Sequence, residues 1–231
     1  MVERERTSGP DIAVAVVGAE TPGNVGTIAR AMKNFGLSEL LLVDPPELEP
    51  DGEAYGFAGQ AREDVLPEAE ELGFDELAAR YHTVACTATT NEDSTSHVRY
   101  PAFTPAELGD HLSGVDADVA VVFGRERVGL TNEELGALDV ICSIPASAEY
   151  PVLNLGQAAT IVLYELRDLT VERTQHPDSL HEYAEKAEVE RLHDQFGAYL
   201  DAIGHPEVKQ DKAARLFRRV VGRAELTPRE A

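Results

Sequence analysis

The chain has 231 residues, 43% of them apolar, with 20 basic side chains against 42 acidic ones and a net charge of −22. That length suits one α/β domain with a small appendage, and the apolar share is enough for a core. No run approaches the roughly 18 apolar residues that span a bilayer, and residues 1–10 lack the apolar stretch of a signal peptide. Two cysteines make neither a CxxC pair nor a disulfide framework, and seven histidines show no HExxH-like spacing, so a cytoplasmic protein without a metal site is expected.

In chain order, Ile12–Gly18 is a continuous apolar run, as expected of a strand buried on both faces. A Gly/Pro/Asn-rich loop, Ala19–Gly26, follows, and Ile28, Ala31, Met32 and Phe35 then recur at helical spacing until Gly36. Glu39–Val43 reads as a strand, Tyr55–Leu66 and Phe74–Arg80 as helices, and His82–Thr87 as a third strand. Thr104-Pro105-Ala106-Glu107 and Thr131-Asn132-Glu133-Glu134 are capping boxes that open two helices. Asp118–Gly124 and Val140–Ile144 are strands, and Asn154–Asp168 is a helix apolar on most faces, expected to be buried. The alternation predicts a parallel sheet covered on both faces. Cys86 and Cys142 lie inside apolar strands and read as small buried hydrophobes. Around Val171–Asp178 the pattern lapses, which places a boundary between a domain over 1–170 and a helical extension over 179–231. In that tail, Leu192, Phe196, Tyr199, Leu200 and Ile203 form one stripe, and Ala213, Leu216, Phe217, Val220 and Val221 a second. Two such helices must bury their stripes on each other, on the α/β domain or on a second subunit.

Ligands of parallel α/β sheets sit beyond the carboxyl ends of the strands, where three loops stand out. In the first, Gly18, Gly23 and Gly26 followed by Asp44 invite comparison with a dinucleotide fingerprint, but GAETPGNVG has the wrong spacing. The unit Asn24-Val25-Gly26-Thr27-Ile28-Ala29-Arg30 places Asn24 where it can cap the helix. Arg30 stands nearly two turns further on, where a phosphate or a developing alkoxide would suit its charge. In the second, VVFGRERVGL, glycines flank Arg125-Glu126-Arg127. The triplet is either a solvated surface or a sharp bend whose freed N–H groups bind a ligand and whose Glu126 orients Arg30. In the third, Pro145–Gln157, Asn154 is placed to cap the following helix.

Together, NxGxxxR at 24–30, FGRERVGLTNEEL at 123–135 and EYPxLNLxQA at 149–158 resemble the motifs of the SPOUT class of RNA methyltransferases, in particular the TrmH group and its TrmJ-type tRNA branch. The likeness spans roughly residues 12–168. It implies an α/β, Rossmann-like domain with a trefoil knot, working as a homodimer, plus a small helical C-terminal domain. A knot could not have been read from periodicity, since topology rules make one improbable. It implies methylation of a ribose 2′-hydroxyl in tRNA, at nucleotide 32 of the anticodon loop, with S-adenosyl-L-methionine as cofactor. Another tRNA site, a ribosomal RNA site, and a non-catalytic RNA-binding relative are the alternatives. Carried over by position, Arg30 is the catalytic arginine, supported by Asn24 and Glu126. Thr87, Ala88, Thr89, Gly124, Ile144, Val152, Leu153 and Asn154 contact the cofactor. The chain departs from relatives at Val152 and Gly156, where serine is frequent, and at Thr87–Thr90, where some carry TSAR and its arginine.

The tail supports an RNA partner separately. Residues 209–223 hold six basic residues against one acid, with Lys212, Arg215, Arg219 and Arg223 on one helix face. That face either balances nearby acids or tracks the phosphates of tRNA. The chain's overall acidity, with four lysines in all, suits a halophilic cytoplasm, where salt screens self-repulsion.

Overall fold

A computed structural model describes residues 10–88, 101–175 and 182–231. The chain divides into two compact units, Met1–Arg173 and Thr174–Ala231.

The first unit runs β1 (Ile12–Val17), α1 (Pro22–Asn34), β2 (Leu40–Val43), α2 (Glu53–Phe57), a 3-10 turn (Gly59–Arg62), β3 (Glu70–Glu71), α3 (Phe74–Arg80), β4 (His82–Cys86), β5 (Ala102–Phe103), α4 (Pro105–Leu112), β6 (Val119–Phe123), α5 (Asn132–Gly136), β7 (Val140–Cys142), α6 (Leu155–Glu165) and α7 (Arg167–Thr170). The strands form one parallel sheet in the order β3-β2-β1-β6-β4-β7-β5. The apolar run of β1 is buried along its whole length. Ile12, Val14 and Val16 enter a core shared with α1, α4 and α6, while Ala13, Ala15 and Val17 enter a second core with Leu77 of α3 and Leu135 of α5. Period-2 alternation on a strand covered on both sides makes every residue apolar.

Both capping boxes form, with the Thr104 hydroxyl accepting from the Glu107 N–H and the Thr131 hydroxyl from the Glu134 N–H. Three expectations are corrected. Helix α1 begins at Pro22, so Gly23–Gly26 are helical and Thr21, not Asn24, is the N-cap residue. Proline at the first helical position is pre-set for this start. The segment expected as one helix over 55–66 breaks after Phe57, because Gly59 takes φ +58° and the chain tightens into the 3-10 turn. The outer face of α6 is not buried, with Ile161 38% and Tyr164 49% exposed. The two-residue strands β3 and β5 carry too little pattern to be read in advance.

After β7 the chain does not continue outward past β5. Asn154, just ahead of α6, bonds to Asn24 of α1, and α6 packs on α1 and α4. The segment 143–154 therefore returns past the carboxyl ends of β4 and β6.

The second unit holds α8 (Lys186–Ala202) and α9 (Glu207–Ala224), with Gly204 at φ +66° in the connection. The helices pack on each other through stacked Phe196 and Phe217, centroids 3.9 Å apart, and bury Leu200 and Val221. Leu216 and Val220 of the expected second stripe stay exposed. Arg218 makes a two-pronged ion pair with Glu190 at 2.8 and 2.7 Å.

Helices α1 and α2 meet at Gly26, where an added Cβ would lie 2.0 Å from the Ala54 carbonyl oxygen. Alanine gains up to about 1 kcal/mol over glycine in a helix interior, whereas overpacking against backbone costs about 1–3 kcal/mol or more. Gly26→Ala should therefore lower the urea midpoint of the first unit; a raised midpoint would show that the helices separate freely.

Candidate cofactor and RNA site

An open cleft lies at the carboxyl ends of β4, β6 and β7, walled by the hairpin after β6 and by the start of α6. Of the positions expected to touch the cofactor, Thr87, Ala88, Gly124, Ile144, Val152 and Leu153 line it. Thr89 lies outside the described residues. Asn154 sits beside the cleft, and its side chain caps α6, accepting from the Gly156 and Gln157 N–H groups. Gly156 lets the start of α6 come close to α1, since a Cβ there would meet Thr27 Cγ2 at 2.6 Å.

The hairpin is built tightly. Arg125 and Gly129 exchange backbone hydrogen bonds, Gly129 N–H to Arg125 carbonyl at 2.9 Å and Arg125 N–H to Gly129 carbonyl at 3.3 Å. These two N–H groups are thus spent within the loop rather than freed for a ligand. A Cβ on Gly124 would fall 2.4 Å from the Gly129 carbonyl carbon, so only glycine fits where β6 turns. The Arg125 side chain crosses Gly18 at the end of β1 and meets Glu134 through two 3.0 Å bonds. Glu134 also takes the Thr131 N–H, so one carboxylate closes the capping box and anchors the hairpin. The capping box was visible in sequence; its second duty was not. Burial alone would push the Glu134 carboxyl up, but the Arg125 and Thr131 bonds hold it below its ordinary value.

Glu126 does not meet Arg30. Its carboxylate accepts from the Glu20 N–H at 2.8 Å, the Thr21 N–H at 2.9 Å and Asn24 Nδ2 at 2.9 Å. Thr21 supplies no side-chain cap, and Glu126, from more than a hundred residues away, puts a negative charge at the N-terminus of α1. Asn24 Oδ1 in turn accepts from Asn154 Nδ2 at 3.1 Å. The chain Glu126–Asn24–Asn154 ties all three loops together. Burial would raise the Glu126 carboxyl, yet the bonds from Asn24 and from the Glu20 and Thr21 backbone hold it below its ordinary value.

Arg30 is exposed on α1 and rests beside Gly59; it does not line the cleft. Among the described residues it makes no hydrogen bond or ion pair. Arg125 and Arg127, read in sequence only as flanks of Glu126, do line the cleft, as do Cys86, Phe123 and Cys142. In the second unit Lys212, Arg215, Arg219 and Arg223 are exposed, and Arg215 Nε bonds to the Asp211 carbonyl of its own helix. No group of three or more ligating side chains suited to a metal occurs among the described residues, and no helix among them is long and apolar enough to cross a membrane.

A cleft beyond the carboxyl ends of the central strands stands where parallel α/β sheets bind their ligands. The profile of the SpoU rRNA methylase family matches residues 11–164. A tRNA (cytidine-2′-O-)-methyltransferase TrmJ of Methanocaldococcus jannaschii is 36% identical over 222 residues, covering 95% of both chains. A tRNA (cytidine/uridine-2′-O-)-methyltransferase TrmJ of Klebsiella pneumoniae is 36% identical, covering 90% of this chain and 88% of its own. The crystal structure of TrmJ from Z. mobilis superposes with a TM-score of 0.69 at 27% identity, covering 94% of this chain and 91% of that one. The chain belongs to the SpoU methylase family.

Because the folded value of Glu126 is depressed, its contribution is present above the ordinary carboxylate value of about 4.3 and is lost as pH falls through the lowered one. Glu126→Gln should be less stable than the parent at pH 7, with a narrower gap at about pH 3, below the ordinary carboxylate value. Paired urea titrations at the two pH values measure this, and a gap independent of pH would exclude the charge as its source.

Proposed function

We propose that the protein methylates a ribose 2′-hydroxyl of tRNA with S-adenosyl-L-methionine, at nucleotide 32 of the anticodon loop. The carrying observation is the cleft itself: three loops locked by Glu126, Asn24 and Asn154, with expected cofactor positions on its wall. The relatives' activity on cytidine or uridine 2′-oxygens supports the same reading.

When bound, the cofactor supplies a methyl group on a sulfonium, already an excellent donor. The chain's task is then alignment and stabilisation of charge on the attacking oxygen. Thr87, Ala88, Ile144, Val152 and Leu153 would hold the cofactor, with Val152 offering only backbone polarity where relatives often have serine. Asn24 and Glu126 act as positioning residues, since their side chains bind protein groups. Arg30 is the group left for RNA. A guanidinium is no base; Arg30, outside the cleft of its own chain, serves a cleft completed by the second copy of the homodimer, where it stabilises the alkoxide while an RNA phosphate takes the proton. We place the body of tRNA on the basic face of α9, and the homodimer contact on the exposed stripe of α6 at Ile161 and Tyr164. The acid-rich remainder reads as adaptation to a salt-rich cytoplasm.

Arg30→Ala should lower kcat by about 10²–10³ while leaving the calorimetric Kd for S-adenosylmethionine unchanged; retained kcat would remove Arg30 from the chemistry. Arg30→Lys, which keeps the charge without the planar fork, should recover only part of the rate.

The double variant Lys212→Ala, Arg219→Ala should weaken tRNA binding and flatten the slope of log Kd against log salt by about one unit per residue. An unchanged slope would show that α9 faces away from the RNA.

A further inference from the structure

Cys86 and Cys142, far apart in sequence, are placed side by side by the fold. Cys86 ends β4, Cys142 ends β7, and the two are registered partners across that parallel pair. The register is held one residue further on by the Thr87 N–H bonding to the Cys142 carbonyl at 3.0 Å. Both side chains leave the sheet on the same face, into the core shared with α4 and α6, and both thiols are free. Both also line the cleft, Cys86 half-buried and Cys142 1% exposed. Neighbouring strands lie about 4.8 Å apart, inside the window of about 4.4–6.8 Å between Cα atoms that a disulfide requires. Rotation about the side-chain bonds can then bring the sulfurs together without a change of strand register.

We infer that Cys86 and Cys142 are an oxidisable dithiol whose disulfide lowers the affinity of the cleft for S-adenosylmethionine. This rests on the cofactor reading given above. The co-reactant is a small-molecule disulfide. Cys86, the more exposed thiol, loses its proton and attacks one sulfur of that disulfide; a mixed disulfide forms and the other sulfur leaves as a thiolate, which is protonated. Cys142 then loses its proton and attacks the Cys86 sulfur, the Cys86–Cys142 bond forms, and the second small thiol departs. Two protein thiols are oxidised and one disulfide is reduced to two thiols.

Burial, with the Cys142 thiol beside it, pushes the Cys86 thiol well above its ordinary value. The thiolate is therefore scarce at neutral pH, and the dithiol responds slowly and faster in alkali. The bond would tighten the sheet where Thr87 and Ala88 leave β4 and Ile144 follows β7, three of the positions read as cofactor contacts. A cofactor held in the cleft would cover both thiols, since both line it. By linkage, a cofactor that disfavours the disulfide is itself disfavoured by it, to the same degree.

The test uses the full chain, reduced and then treated with oxidised glutathione. Free thiols are counted after denaturation, intact mass is measured, and the Kd for S-adenosylmethionine is taken by calorimetry before oxidation, after it, and after dithiothreitol. Both thiols should disappear with a mass loss of about 2 Da and no glutathione adduct. The Kd should weaken by about tenfold and recover on reduction, and saturating S-adenosylmethionine should slow the oxidation. Cys86→Ser should show the same Kd before and after oxidant, whatever that Kd is, and Cys142→Ser, which leaves Cys86 without a resolving thiol, should stop at the glutathione adduct. In the parent chain a stable glutathione adduct on one thiol, or a complete disulfide with unchanged Kd, overturns the inference alone. A reduced protein that does not bind S-adenosylmethionine overturns the cofactor reading and this inference with it.

Discussion

One carboxylate organises the site. Glu126 stands on the hairpin after β6, yet its hydrogen bonds reach the start of α1, and through Asn24 they reach Asn154 at the start of α6. A half-buried charge is tolerable only when it is well hydrogen-bonded, and here three donors bind it. The consequence is geometric. Three loops that each leave a different strand cannot drift independently, because moving any one of them strips a donor from a desolvated carboxylate or turns Asn24 away from a partner. Asn24 cannot reverse its amide either, since one end must donate to Glu126 and the other must accept from Asn154. Arg125 and Glu134 brace the same hairpin from the other side, against the end of β1 and the cap of α5. These bonds brace the cleft in the absence of a ligand, and catalysis by positioning calls for such bracing.

Electrostatics divides the cations of this acid-rich chain into two groups. Lys33, Arg80, Arg125 and Arg218 are held by Asp64, Glu70, Glu134 and Glu190, and serve the fold. Arg30, Lys212, Arg219 and Arg223 make no hydrogen bond or ion pair among the described residues, although acids outnumber bases by 42 to 20. Cations left unpaired amid such an excess of carboxylates are the ones free to meet phosphate.

Much of the fold was legible because its signals are local. The apolar runs of β1, β4 and β6 and the two capping boxes depend on neighbours within a few residues. The start of α1 was not legible, because glycines at 23 and 26 read as loop, and what makes them helical is distant: Glu126 at the helix N-terminus and the Ala54 backbone against Gly26. The same holds for the site. Sequence brought Thr87, Gly124, Ile144 and Leu153 to one cleft, but it paired Glu126 with Arg30, which faces elsewhere. It read Cys86 and Cys142 as separate core residues, since cross-strand adjacency is invisible along one dimension.

The central claim is chemical: this cleft delivers a methyl group to a ribose oxygen of tRNA. Incubating the purified chain with S-adenosylmethionine and a tRNA transcript, then digesting to nucleosides and short fragments for mass spectrometry, tests it most directly. The account predicts a 2′-O-methylated nucleoside at position 32 and none when that ribose is replaced by deoxyribose. A methyl group on a base, or methylation that survives the loss of the 2′-hydroxyl, would contradict it.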